Sequence, residues 1–357
     1  MTPVRVLVVD DSSFARQMIV ELLSTDHEID VVGEASNGLE AVEMVKALKP
    51  DLVTMDMVMP VMDGLGAIER IMASHPLPIL VITSVEDAAT AYAATAKGAL
   101  EILQKPDINT TSPKKIVNTI KLLSKVKVIT HIRNSPYKTP PRNSLEKELK
   151  TEKKEYKTGR AVIHEKEEGA IQIIAMASST GGPKALSVIL PELPGDFRCP
   201  VVIVQHIPDT FVSGMAKWLD KLSNITVKPG SRGEKLLPGT AYITPPEIHM
   251  EIAVGDILTV SENDPREGYP TFCDVMLSSA ANVHGAKSVG VILTGMGHDG
   301  VLGIKRIKEA GGYTIAQDQS SSVVFGMPKV AIEHGQIDKV MPLDKISKEL
   351  IQLAFHR

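Results

Sequence analysis

The chain has 357 residues, of which 43% are hydrophobic and 23% are charged, and its formal net charge is -4. This length exceeds that of one usual domain, so we expect two domains and a connector, while the small negative charge gives no general attraction to nucleic acid or anionic membranes. No apolar run approaches the roughly 18 to 20 residues that span a bilayer, and the N-terminal run stops at Asp10. We therefore expect a cytoplasmic protein with no signal peptide and no membrane insertion.

The chain contains two cysteines, Cys199 and Cys273, and neither has CxxC spacing. A disulfide framework or a zinc site therefore has no support, and neither cysteine carries an argument for catalysis.

Residues 1–125 alternate five short apolar runs with helix-like stretches. This alternation predicts an α/β domain, a parallel sheet wound with helices. Asn37 and Glu40 before an apolar stretch predict a capping box and a helix that begins near Gly38. The predicted strands are Val6–Val9, Ile29–Val32, Leu52–Met55, Ile79–Ile82 and Leu100–Leu103.

Polar residues follow four of these strands: Asp10 and Asp11, Asp56, Thr83, and Lys105. The carboxyl ends of parallel strands meet at one edge of a sheet, where ligands bind. Crowded carboxylates repel one another unless a hard cation joins them, so we predict a Mg²⁺ site with Asp56 as the acceptor of a phosphoryl group. A helix cap, a turn or a solvated strand end is the alternative for each residue alone, but five together favour a site.

Together, the motifs of this segment resemble the receiver domain of two-component response regulators. They are Asp10-Asp11, Asp56-x-x-Met59-Pro60-x-Met62-Asp63-Gly64, Thr83 and Lys105-Pro106. The resemblance implies that a histidine kinase phosphorylates Asp56, that Asp10, Asp11 and Asp56 bind Mg²⁺, and that Thr83 and Lys105 contact the phosphoryl group. The position three before the lysine, which is commonly aromatic in receivers, is Ile102.

Residues 126–169 combine proline and serine with charges of both signs and have few apolar residues. This composition predicts a solvated, flexible linker, with a transient single helix between Leu145 and Lys157. A docking segment for a partner is the alternative.

Residues 170–357 again alternate strands and helices, and their near-continuous apolar runs predict a Rossmann-like parallel sheet buried on both faces. The segments Pro238–Ile243 and Ile248–Val260, with a turn at Gly255-Asp256, predict an antiparallel appendage.

One turn in this domain joins a strand to a helix through Ser178-Ser179-Thr180-Gly181-Gly182-Pro183. Pro183 suits the first helical position and Gly182 the cap, so free backbone N–H groups and the helix dipole converge on the hydroxyls. A hydroxyl there is placed to act as a nucleophile beside an oxyanion site, although serine and threonine at a helix start also serve simply as caps.

His206 and Asp299 follow two other predicted strands, so they complete a Ser, His, Asp set at one sheet edge. An imidazole removes the serine proton near neutral pH, and a carboxylate fixes the imidazole tautomer. A core histidine and a turn aspartate are the alternatives. A dinucleotide site is disfavoured because GxGxxG is missing, and a metal site is disfavoured because His206, His249, His284 and His298 lack HExxH spacing.

The motifs of this segment look like the catalytic domain of the chemotaxis protein-glutamate methylesterase and protein-glutamine glutaminase (CheB) family. They are Ser179-Thr180-Gly181-Gly182, Gln205-His206-Ile207-Pro208, Leu293-Thr294-Gly295-Met296-Gly297-His298-Asp299-Gly300 and Gly311-Gly312-Tyr313-Thr314-Ile315-Ala316-Gln317-Asp318. The order receiver, linker, esterase also matches. Pro270-Thr271-Phe272-Cys273-Asp274 matches less closely.

The resemblance implies hydrolysis of glutamate methyl esters and deamidation of glutamines on chemoreceptors, with no cofactor at the esterase site. By position, Ser179 is the nucleophile, His206 the general base and acid, and Asp299 its orienting partner. The Met296 N–H contributes to the oxyanion hole and Thr180 helps position His206, while Ser178 does not attack. The unphosphorylated receiver is expected to cover the crevice at the sheet edge where Ser179, His206 and Asp299 lie.

Two other function classes remain at this stage. A DNA-binding regulator is common after a receiver, but residues 170–357 lack a basic helix-turn-helix stretch. A catalytically silent receptor adaptor is the other, and the presence of all three triad residue types argues against it.

Overall fold

The computed structural model of the protein describes residues 2–84, 88–105, 113–126, 128, 170–244, 249–260 and 271–356. Nearly all of the expected linker, together with Pro106 and Pro270, lies outside the described residues. Within the described ranges, no helix is both long enough and apolar enough to cross a membrane.

The N-terminal domain is a five-stranded parallel sheet with the strand order β2-β1-β3-β4-β5. All five predicted strands form, with ends that differ by up to three residues, and α2 begins at Gly38 with Asn37 as its cap. The elements are β1 Val4–Val9, α1 Ser13–Leu23, β2 Ile29–Ala35, α2 Gly38–Leu48, β3 Leu52–Met55, α3 Gly64–Ser74, β4 Ile79–Thr83, α4 Ala88–Lys97, β5 Glu101–Gln104 and α5 Pro113–Leu123.

The C-terminal domain is built on a seven-stranded parallel sheet with the order β14-β13-β12-β6-β7-β9-β8. Its central strands are buried along their whole length, as their apolar runs predict. The elements are β6 Ile173–Ser178, α6 Gly182–Ile189, β7 Val201–Gln205, α7 Asp209–Leu222, β8 Thr226–Pro229, β9 Thr240–Thr244, β10 Met250–Ala253, β11 Ile257–Val260, α8 Phe272–His284, β12 Ser288–Ile292, α9 Val301–Glu309, β13 Tyr313–Gln317, α10 Met327–Glu333, β14 Lys339–Met341 and α11 Leu343–His356.

The antiparallel appendage is smaller than predicted. Among the described strands, β10 and β11 are the two that pair antiparallel, around a turn in which Gly255 and Asp256 have positive φ, as the sequence indicated. The segment assigned to the appendage at Pro238–Ile243 instead supplies β9, which joins the main sheet parallel to β7. The reason is burial, because β9 is covered on both faces from Ala241 to Thr244.

The two domains pack directly against each other. Helix α4 of the N-terminal domain lies against α7 and α6 of the C-terminal domain. Tyr92 of α4 is fully buried, stacks on Trp218 at 5.7 Å between ring centroids and meets the edge of Phe211 at 6.4 Å. Aromatic pairs of this kind add to the apolar burial, so the closed arrangement is stabilised by a continuous hydrophobic contact.

Candidate active site

The turn that carries Ser179 lies between β6 and α6 at the carboxyl edge of the large sheet. Gly181 caps the helix with φ 79, and Pro183 is the second helical residue, so the cap lies one position before the predicted Gly182. A side chain at Gly181 is excluded, because its Cβ would lie 2.6 Å from Cβ of Val323. The turn is thus tight, and its Ser179 and Gly182 N–H groups donate to the carbonyls of Thr294 and Ser179 at 3.1 and 2.8 Å.

The two neighbouring serines have different surroundings. Ser178 is fully buried, and its hydroxyl donates to Oε1 of Gln205 at 2.7 Å. Gln205 in turn donates through Nε2 to the carbonyl of Ser179 at 2.9 Å. The Ser179 hydroxyl makes no hydrogen bond with any residue in the described ranges. The Ser178 hydroxyl is therefore engaged in a buried hydrogen bond. The Ser179 hydroxyl would not have to break a hydrogen bond to a described residue before reacting.

His206 and Asp299 are brought into contact by strand order. Strands β12, β6 and β7 are neighbours, so Asp299, Ser179 and His206 follow three adjacent strands. The His206 backbone N–H donates to the Ser178 carbonyl at 3.2 Å, which places His206 beside the serine turn. Its Nε2 lies 2.5 Å from Oδ2 of Asp299. Because Nε2 faces the carboxylate, Nδ1 is the ring nitrogen that points away from Asp299.

Asp299 is held from several sides. Its Oδ1 accepts from the Thr271 hydroxyl and from the Asp274 N–H at 3.3 Å, and its Oδ2 accepts from the Cys273 N–H at 3.3 Å. Burial alone would raise the pKa of Asp299, but the hydrogen bond and charge of His206 and the Thr271 hydroxyl outweigh it and lower that pKa. The carboxylate therefore stays ionised and fixed in orientation.

The loop after β12 closes the other side of the serine turn. Gly295 packs so tightly on Ser179 that an added Cβ would lie 2.8 Å from the serine Cβ. The Thr294 hydroxyl donates to the carbonyl of Thr180 at 2.9 Å and so ties the two loops together. Met296 follows in this loop, with its side chain half exposed. Met296 therefore directly follows Gly295, the residue that packs on Ser179.

The sequence reasoning missed Cys273. Its thiol is fully buried, with Sγ 3.6 Å from Nε2 of His206. Burial and the charge of Asp299 raise its pKa well above the usual thiol value. The weaker family match at Pro270–Asp274 was the one signal in the sequence that this rim differs.

The predicted receiver residues also meet, at the carboxyl edge of the small sheet. Nζ of Lys105 lies 2.8 Å from Oδ2 of Asp10 and 3.0 Å from Oδ2 of Asp56. Asp10, Asp56 and Thr83 are buried, and the Thr83 hydroxyl has no hydrogen-bond partner among the described residues. Asp11 is exposed and does not cap α1, because Ser12 is the cap. The helix-cap alternative for Asp11 and the solvated alternative for Lys105 are both wrong.

The electrostatics of this cluster favour an added cation. Burial raises the pKa of Asp56, while Lys105 opposes this and the charge of Asp10 adds to it. Carboxylate oxygens of Asp10, Asp11 and Asp56 lie within 4.8 Å of one another. Three hard oxygen donors this close fit the ligand preference of Mg²⁺.

A second missed residue links the two sites. Glu101 of β5 is buried, and its Oε2 accepts from the Gly181 N–H of the serine turn at 3.2 Å. Its Oε1 accepts from the N–H of Ile102. Glu101 thus places a carboxylate from the N-terminal domain against the turn that holds Ser179, four residues before Lys105. The contact joins two domains, so no local sequence pattern predicts it. The available sign of a domain interface was Tyr92, the one aromatic residue of a helix rich in alanine and threonine.

A model described as CheB methylesterase matches residues 174–350, and a model described as response regulator receiver domain matches residues 6–120. The chain is 41% identical to a protein-glutamate methylesterase/protein-glutamine glutaminase 3 of Paramagnetospirillum magneticum, over 98% of this chain and 96% of that relative. It is 37% identical to a protein-glutamate methylesterase/protein-glutamine glutaminase of Pyrococcus horikoshii, over 98% of this chain and 93% of the relative. The crystal structure of the Thermotoga maritima CheB methylesterase catalytic domain is 40% identical and covers 51% of this chain and 98% of that chain, with a TM-score of 0.49.

Proposed function

Because the chain belongs to the protein-glutamate methylesterase/protein-glutamine glutaminase family, we propose that it hydrolyses glutamate γ-methyl esters on chemoreceptors and deamidates receptor glutamines, and so serves sensory adaptation. The enzyme is a carboxylic ester hydrolase and deamidase joined to a response-regulator receiver. The observation that carries the catalytic assignment is the Ser179 hydroxyl, which has no hydrogen bond to a described residue and lies on a turn beside the paired His206 and Asp299. A DNA-binding output domain is excluded by the family.

The geometry supports an acyl-enzyme route. Ser179 attacks the γ-carbonyl, and Nδ1 of His206 accepts its proton, because Asp299 holds Nε2. The tetrahedral oxyanion is stabilised by backbone N–H groups, to which Met296 contributes, while Thr180 helps position His206. His206 then protonates the leaving methanol or ammonia, and water attacks the acyl-enzyme with the same imidazole as base.

The receiver supplies regulation in this proposal. Asp56 is the phosphoacceptor for a chemotaxis histidine kinase, and Asp10, Asp11 and Asp56 would hold Mg²⁺. When bound, the ion neutralises charge on the phosphoryl group. The buried hydroxyl of Thr83, which has no hydrogen-bond partner in the described part of the chain, and the ammonium of Lys105 would contact phosphoryl oxygens. The domain limits 1–125, 126–169 and 170–357 belong to the same proposal.

One assay tests both activity and regulation. Methanol release from methylated receptors is measured with and without a small-molecule phosphodonor and Mg²⁺, and we expect release that the phosphodonor increases. Asp56→Asn removes the acceptor carboxylate, so its rate should stay at the unstimulated level in both conditions. No methanol from the wild-type protein would refute the esterase assignment. Equal wild-type rates, once Asp56 phosphorylation is verified by its mass, would refute the regulation.

The closed arrangement of the domains indicates how the receiver restrains the enzyme. A carboxylate of Glu101 accepts a hydrogen bond from the turn that holds Ser179, and Tyr92 anchors α4 on α7. Both contacts hold the receiver against the turn that carries Ser179, so phosphorylation would shift the population toward an arrangement in which the whole receiver has moved away from that turn.

Glu101→Gln should raise methanol release from the unphosphorylated protein by about tenfold. The substitution keeps the size of the side chain but loses the charge, and a hydrogen bond to a charged group contributes about 1.5 to 3 kcal/mol. The phosphorylated rate should stay unchanged, since the contact is already broken there. Glu43→Gln, at an exposed position of α2, is the matched control and should behave as wild type. An unphosphorylated Glu101→Gln rate equal to wild type would contradict the contact as a restraint.

A further inference from the structure

Three different metal-ligating side chains converge inside the catalytic crevice. His206, Cys273 and Asp299 each offer one ligand atom, and these atoms lie within 4.8 Å of one another. Sγ of Cys273 and Oδ2 of Asp299 both approach the same ring nitrogen, Nε2 of His206, at 3.6 and 2.5 Å. We propose that His206, Cys273 and Asp299 form an inhibitory Zn²⁺ site.

The spacing fits a tetrahedral ion. Zn²⁺ binds thiolate at about 2.3 Å and imidazole at about 2.0 Å, and at a tetrahedral angle these two ligand atoms lie about 3.5 Å apart. The observed separation between Sγ of Cys273 and Nε2 of His206 is 3.6 Å, close to this value. Imidazole nitrogen and carboxylate oxygen in such a site lie about 3.3 Å apart, so Oδ2 of Asp299 withdraws by roughly 0.8 Å.

Supporting contacts for the carboxylate ligand are already in place. The Thr271 hydroxyl and the Asp274 N–H donate to Oδ1 of Asp299, the oxygen that does not face His206. Hydrogen bonds of this kind orient metal ligands and increase affinity. Asp274 shares the Thr271 hydroxyl at 3.0 Å and adds a second acidic group beside the site. The surroundings therefore favour a dication.

The ligand set selects the metal. Imidazole and thiolate are borderline-soft and soft ligands that suit Zn²⁺, whereas Mg²⁺ prefers the all-oxygen cluster at Asp56. Cys273 is fully buried and the side chain of Asp299 is 10% exposed, but that of His206 is 30% exposed. An ion therefore enters from the His206 side of the crevice, and a fourth coordination position is open to water.

Zinc binding changes which atoms of Cys273 and His206 carry protons. That this change inhibits the enzyme rests on the proposed esterase function. The thiol of Cys273 gives its proton to solvent, and the neutral imidazole moves its proton from Nε2 to Nδ1 as Nε2 binds the ion. Nδ1 is the atom that must accept the proton of Ser179. A protonated Nδ1 cannot do so, and the ion also takes Asp299 away from its orienting role, so the site is inactive while zinc is bound.

Cobalt provides a direct probe of binding in the full-length protein, without substrate. With excess Mg²⁺ to occupy the receiver, Co²⁺ should produce the near-ultraviolet thiolate-to-metal charge-transfer band, and Zn²⁺ should abolish it. Cys273→Ser should lose the band, because a neutral hydroxyl is a poor ligand. Cys199→Ser, which alters a buried thiol that contacts the Ile171 carbonyl, should keep it. A wild-type protein without the band, or a band that survives in Cys273→Ser, would overturn the site.

The second measurement tests inhibition. Zn²⁺ should suppress wild-type methanol release, and the concentration for half-inhibition should rise by about tenfold or more in Cys273→Ser and in Cys273→Ala. The inhibition of each variant is expressed relative to its own zinc-free rate, and circular dichroism verifies that both variants fold. Equal zinc sensitivity of wild type and variants would refute the inhibitory role. A charge-transfer band in a protein that releases no methanol would count against the esterase assignment and leave the metal site intact.

Discussion

Ser179→Ala is expected to reduce methanol release by about 10⁶-fold, the scale seen when the nucleophile of a serine hydrolase is removed. In the proposed mechanism the Ser179 hydroxyl attacks the γ-carbonyl, and alanine offers no nucleophile in its place. The neighbouring Ser178 hydroxyl is already bonded to Gln205. Release is measured with the phosphodonor present, so that the receiver does not limit the rate. Circular dichroism and thermal unfolding verify that the variant is folded.

Ser178→Ala is the matched control, one residue away. Ser178 donates to Gln205 inside the sheet edge, so its removal leaves a buried acceptor short of a donor and should cost about 1 to 3 kcal/mol of stability. The rate per folded molecule should change only severalfold, because Gln205 still donates to the carbonyl of Ser179. Wild-type release by Ser179→Ala together with loss of release in Ser178→Ala would reverse the assignment. A reactive-serine probe, followed by peptide mass, identifies the labelled residue independently.

The two sheet edges were predictable because parallel strands impose a simple rule. Asp10, Asp56 and Lys105 each follow a separate strand and meet through ion pairs, as expected from the convergence of strand ends. Apolar runs bounded by polar residues fix where such strands stop. The rule can be applied without knowing which strands are neighbours, so the sequence was enough to predict that these residues share one edge of the sheet.

The sequence did not predict contacts that depend on packing between residues far apart in the chain. Pro238–Ile243 looked like part of an appendage, because a short extended segment does not reveal which strand it pairs with. Glu101 contacts Gly181 across the domain interface. Cys273 reaches His206 because α8 packs closely on α9, where a Cβ at Gly303 would lie 2.4 Å from Cβ of Leu277. These contacts follow from tertiary packing, which local periodicity does not encode.

Asp299→Asn should lower the turnover number by about 10⁴-fold while changing KM little. In the wild-type protein the carboxylate accepts from Nε2–H of His206, so Nδ1 is unprotonated and can take the serine proton. Oδ1 of Asp299 accepts from the Thr271 hydroxyl and from the Asp274 N–H, so the oxygen of the new amide will stay on that side. Its NH₂ group then faces Nε2 and donates to it, which places the imidazole proton on Nδ1.

The substitution therefore traps His206 in the tautomer that cannot act as base, although size and packing are nearly unchanged. Asp338→Asn is the control, since Asp338 accepts from Thr314 at the opposite end of β13 and touches no catalytic residue. It should keep the wild-type rate even if its stability falls. NMR of the His206 ring nitrogens reports the tautomer directly and should show protonated Nδ1 only in Asp299→Asn. A turnover number within tenfold of wild type would mean that Asp299 does not set the tautomer, and His206 would then need another orienting group.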